Sequence, residues 1–83
     1  MNTQTDQAIR QYLTTILAQR GDQHSLGDDD SLFLSGRLDS LAMMNLVIYL
    51  ENTFNIDFSS MNFDVGLIDT SSAISKLVKS SAI

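Results

Sequence analysis

The chain has no cysteine, no proline, one histidine and only five basic residues among 83. Without cysteine there is neither a disulfide framework nor a thiolate nucleophile. His24 cannot hold a metal alone, and no acidic residues surround it at a ligand spacing, so no zinc or calcium site is expected. No apolar run approaches the length of a membrane span. The start MNTQTDQAIRQYL shows neither a basic leader nor a small-residue cleavage site, so the expected setting is cytoplasmic with no membrane association. Ten acids against five bases give a formal net charge of -5, which argues against a nucleic-acid partner, since such sites are basic stripes. The balance suits a soluble monomer that meets electropositive partners. A chain this long builds one modest core, so a single domain over 1–83 is expected.

Hydrophobic periodicity points to helices. Over roughly 5–19, Ile9, Leu13, Ile16 and Leu17 share a stripe with Ala8 and Tyr12 at its edges, and Gly21 stops the helix. Residues 22–38 form a long connection. It gathers Asp28, Asp29 and Asp30 and carries the apolar run Leu32-Phe33-Leu34, so the loop is expected to be pinned to the core by Phe33, with Leu32 assisting. The second helix is read over roughly 39–53. SSMNFDVGL reads as a short third helix or turn over roughly 60–67, with Phe63 and Leu67 as its anchors. The last, over roughly 70–80, is capped by Asp69 or Thr70; it turns Ile74, Leu77 and Val78 inward and places Lys76 and Lys79 near its C-terminal end. FNIDF is the sole strand-like run and is too short to build a sheet. The expected fold is all-α, a small four-helix bundle of three longer helices and one short one.

On the second helix, with Ser40 at zero and 100° per residue, Met43, Leu46, Val47, Leu50 and Phe54 fall at roughly 240° to 340°, a core stripe. Met44, Ile48 and Glu51 fall at roughly 20° to 80°, beside Ser40. That shoulder is either the edge of a wide buried stripe or a contact strip for partners, to which methionine lends adaptability. Glu51 is the one charged residue between Ala42 and Asn55. Asp39 and Ser40 have a plain structural explanation, an aspartate N-cap followed by a serine in the first turn. A serine-hydrolase reading fails, because Ser40 lacks the GxSxG context and the lone histidine stands in the preceding loop.

The run SLFLSGRLDSLAMMNLVIYLENTFNIDF resembles the acyl carrier protein and peptidyl carrier protein family, and LIDTSSAISKLV is similar to the family's last-helix pattern. The most specific element is Asp39-Ser40-Leu41, after a glycine-containing loop and before a helix that ends in an acid and an aromatic. The resemblance implies an acyl-carrier-like bundle without catalytic residues. It also implies that Ser40, flanked by Asp39 and Leu41, carries a covalent 4'-phosphopantetheine arm derived from coenzyme A, whose thiol holds the cargo as a thioester. The implied partners are a phosphopantetheinyl transferase, an adenylating acyl or aminoacyl ligase, and a downstream transferase or condensing enzyme.

Departures from the fatty-acid type are equally legible. The second helix lacks the acidic row of those carriers, Leu38 stands where a small residue is frequent, and Ser71 replaces an apolar residue in the last helix. These favour a free-standing, specialised acyl or aminoacyl carrier over bulk fatty acid synthesis. Partner recognition is expected at Leu41, Met44 and Ile48, with Arg37 and Glu51 supplying polar register. The competing class is a small helical interaction module without a prosthetic group.

Overall fold

Gly21 adopts a left-handed backbone (φ 83°) at the end of the first helix. There the Gly21 N–H donates to the Ala18 carbonyl at 3.0 Å and the Asp22 N–H to the Leu17 carbonyl at 2.9 Å. This pair of bonds closes a helix on a residue free of the Cβ penalty. The helix it ends is α1, Thr3–Gln19; α2 spans Ser40–Phe54 and α3 spans Ser71–Ser81. The computed structural model describes residues 3–60 and 62–81. Among them there is no strand.

α1 buries Ile9, Leu13 and Leu17, residues four apart on one face, and packs on α3, which buries Ile74, Leu77 and Val78. The Thr70 hydroxyl accepts the Ala73 N–H at 3.0 Å, so Thr70 is the cap of α3 and Asp69 is free for another role. α2 ends where Asn55 turns left-handed, φ 56°. The radius of gyration, 12.0 Å, equals the value of about 12 Å expected for a folded chain of this length.

Three expectations change in detail. The segment read as a short helix or turn over 60–67 forms two 3-10 turns, Phe58–Ser60 and Val65–Leu67; Met61 lies outside the described residues. Asp57 and Asp64 each take a nearby backbone N–H on the side chain, from Ser59 and Gly66. Such local bonds compete with a continuous helical ladder. Its expected anchor Phe63 is 43% exposed, edge-on to Phe58, and the buried residues of this segment are Ile56, Phe58 and Ile68, with Leu67 half-buried beside them.

The loop's anchor is also reversed: Leu32 is fully buried and Phe33 only half-buried. Leu32 donates its N–H to the Asp69 carbonyl at 2.7 Å and accepts the Leu38 N–H at 2.8 Å, which holds it against the core, while Phe33 starts the turn that Gly36 closes at 3.1 Å. Lastly, the buried line of α2 is Ala42, Leu46 and Leu50, with Met43, Val47 and Phe54 half-buried. The stripe is therefore rotated toward α1, because Tyr49 and Ala42 lie on that side. Tyr49 stacks on Tyr12 of α1 with ring centroids 4.0 Å apart and planes 9° from parallel.

Candidate functional site around Ser40

The site begins with the loop, since residues 22–38 deliver the chain to Ser40. Three ties hold that loop. Arg37 grips Asp22 with two nitrogens, Nε at 2.8 Å and Nη2 at 3.2 Å, and reaches the His24 carbonyl at 3.3 Å. That clamp holds the Asp22 carboxyl far below the usual range, through Arg37 first and then His24. Arg10 of α1 bonds both the Leu26 carbonyl and the Asp28 carboxylate, and the Asp28 carbonyl accepts the Ser72 N–H of α3.

The third tie is Asp69, a buried carboxylate just before α3. It takes the Ser31 hydroxyl at 2.6 Å, the Phe33 N–H at 2.7 Å and the Leu34 N–H at 3.0 Å. Burial pushes its carboxyl up; the Ser31 hydroxyl and the N–H groups of Leu34, Phe33 and Leu32 more than reverse this and hold it below the usual range.

Asp39 ends the loop in an extended conformation and caps α2, its Oδ1 accepting the Ala42 N–H at 3.0 Å. Its Oδ2 lies 3.0 Å from Nη1 of Arg20, beyond the end of α1. Both bonds lower the Asp39 carboxyl, the backbone one more. Ser40 is the first residue of α2 and is exposed, and its hydroxyl makes no hydrogen bond within the described residues. It stands at the end of a helix where open N–H groups and the dipole favour an anion. His24 stays in the loop, its ring held at 3.0 Å by Asp22, and is no base for this hydroxyl.

Leu41, Met44 and Ile48 are exposed together on one face of α2, at 64%, 60% and 47%. Residues three and four apart are neighbours on a helix surface, so these side chains make one apolar strip beginning beside Ser40. Of the shoulder residues, Glu51 is half-buried. Arg37 does not join the strip, because its guanidinium is engaged with Asp22 in the loop. Sequence reasoning missed Arg20, and it offered Asp69 only as a candidate helix cap, not as the acceptor that ties down the loop. A basic residue after a helix and an acid before a capping threonine fit many roles, and only the fold brings each to its partner.

A protein-family model described as "Phosphopantetheine attachment site" matches residues 7–78. The chain belongs to that family. A search of curated proteins and a search of solved structures each gave no match. The family is defined by covalent attachment of phosphopantetheine, so the carrier's prosthetic group is 4'-phosphopantetheine, and carriers of this kind are not catalysts. Membership also implies work with a phosphopantetheinyl transferase and with acyl- or aminoacyl-activating enzymes. The residues present fit the group: an exposed serine hydroxyl at a helix N-terminus, without a hydrogen bond among the described residues, is open to carry a phosphodiester. Among the described residues no cluster suits a metal ion, and no helix is long and apolar enough to cross a membrane.

Proposed function

We propose that Ser40 is the attachment residue and that the carrier holds an acyl or aminoacyl group as a thioester on its arm for presentation to successive enzymes. The observation that carries this reading is the exposed Ser40 hydroxyl at the open end of α2, within a chain that matches the attachment family almost throughout. The bound group supplies the thiol that carries cargo. The protein's own residues do the rest: Asp39 fixes the start of α2, Leu32, Leu38 and Asp69 hold the approach, and the serine stays accessible. Tethering keeps the cargo at high effective concentration at each partner.

A specialised cargo is favoured over bulk fatty acid synthesis. The support is the strip Leu41, Met44 and Ile48, apolar where a carboxylate row would steer basic partners. The expected partners are a phosphopantetheinyl transferase, an adenylating ligase and a downstream transferase or condensing enzyme, all meeting a monomeric, cytoplasmic carrier that is one domain over 1–83. Glu51, half-buried beside this strip, is expected to supply polar register.

Apo-protein incubated with coenzyme A and a broad-specificity phosphopantetheinyl transferase should gain the mass of one arm. Ser40→Ala should fold by circular dichroism and gain none. An arm found on Ser35, or on S40A, overturns the assignment.

A further inference from the structure

A cleft of about 400 Å³ runs between α1 and α2 beside the attachment residue, within the range of about 300 to 1,000 Å³ typical of ligand sites. Asp39 and Leu41, the neighbours of Ser40 on either side, both line it. Three other clefts of the molecule include neither of them. We propose that this α1–α2 cleft is a resting site for the chain's own phosphopantetheine arm. The inference rests on Ser40 as the attachment residue.

Charge supplies the first argument. A phosphodiester on Ser40 adds an anion next to the Asp39 carboxylate, and the cation at this end of the cleft is Arg20. Arg20 gives Nη1 to Asp39, and its side chain remains 38% exposed. A guanidinium presents five N–H donors in a fixed fork, so one group can serve both the carboxylate and a phosphodiester. Arg20 is thus the device that lets two anions sit side by side at the start of α2.

The cleft wall supplies the second argument. Its chemistry is mixed, with Tyr12, Ile16 and Leu41 offering apolar surface and Gln19 and Asn45 offering amides. A pantetheine arm is mixed in the same way: a geminal dimethyl group needs apolar cover, and its amides need both donors and acceptors. Glutamine and asparagine side chains provide both. The position of these residues on the α1 side follows from the rotation of the α2 stripe, which leaves Asn45 facing the groove beside Ala42. An arm lying here points away from Met43 and Val47, which are half-buried on the opposite flank of α2.

The test uses holo-carrier bearing a ¹³C,¹⁵N-labelled arm transferred from labelled coenzyme A, with Ser40 occupancy checked by intact mass. Nuclear Overhauser contacts are expected from the geminal methyl protons to Ile16 and Tyr12. On ¹⁵N-labelled protein, the side-chain amides of Gln19 and Asn45 should shift between apo and holo forms. Arg20→Gln should reduce those shifts by at least half while its own Ser40 becomes fully modified. Arm contacts to Met43 or Val47, shifts confined to the first turn of α2, or a modified chain with no arm contacts overturn this inference alone. A chain that takes no arm on Ser40 overturns the attachment reading, and this inference with it.

Discussion

The Asp69 carboxylate and the Phe33 backbone are joined at 2.7 Å across 36 residues of chain. One oxygen serves the N–H groups of Phe33 and Leu34, and the other takes the Ser31 hydroxyl. This acid ahead of α3 is therefore one of the three ties on the loop that leads to Ser40.

Asp69→Ala leaves three part-buried hydrogen bonds without their acceptor, so it should lose about 2 kcal/mol in urea unfolding. Asp69→Asn keeps one carbonyl oxygen and should lose less than the alanine variant. Equal stability of Asp69→Ala and the parent would show that the loop is held by other ties.

Acid should weaken the fold through the same groups. The carboxyls of Asp69, Asp22 and Asp39 all lie below their ordinary range in the folded chain. A depressed folded pKa means that the ionised group favours the folded state. That contribution is fully present above the unfolded value, about 3.9 for aspartate, and is lost as pH falls through the folded values. Urea midpoints should stay level from neutral pH to about 5 and drop below about 4. Asp69→Asn should make that drop shallower, and an unchanged profile would remove Asp69 from the account.

Leu32 and Phe33 are adjacent, and their truncations should differ in a fixed order. Leu32 is fully buried, so Leu32→Ala should cost about 2–5 kcal/mol. Phe33→Ala, at a half-buried position, should cost less than Leu32→Ala in the same urea series. The opposite order would mean that the aromatic ring is the anchor.

Met44→Ala and Ile48→Ala should change stability by no more than about 0.5 kcal/mol, as surface changes do, yet slow loading by the cognate enzyme. Because the strip is apolar, the parent's loading rate should depend only modestly on salt. Loss of stability with normal loading once folded would assign both side chains to the core.

Helix positions were legible because their signals are local. Ile9, Leu13 and Leu17 repeat at helical spacing, and Asp39 and Thr70 cap in the way their side chains favour. The resemblance was legible over most of the chain, and the phosphopantetheine-attachment family model matches residues 7–78. What was not legible depends on residues distant in sequence. Tyr49 falls at roughly 180° on its helix, outside the expected stripe and on the far side of it from the Met44–Ile48 shoulder, and only Tyr12 of α1 explains why the buried line turns toward it. Leu32 outranks the larger Phe33 because its backbone bonds to Asp69 and Leu38. Arg37 reads as a free cation beside the motif until the fold brings Asp22 to it. The segment read as a short helix or turn takes the turn form for a local reason, since aspartate side chains supply its backbone with bonds that no periodicity count registers.

The stacked pair Tyr12 and Tyr49 has a practical consequence. They are the chain's two tyrosines, and it has no tryptophan, so the near-ultraviolet signal comes chiefly from one ring-on-ring contact between α1 and α2. Burial, and then the neighbouring Tyr49, push the Tyr12 hydroxyl up from its ordinary value. Alkaline titration of the absorbance therefore reads how tightly those helices are closed. An enzyme that pries α1 from α2 while docking would announce itself in the carrier's own spectrum, with no label attached.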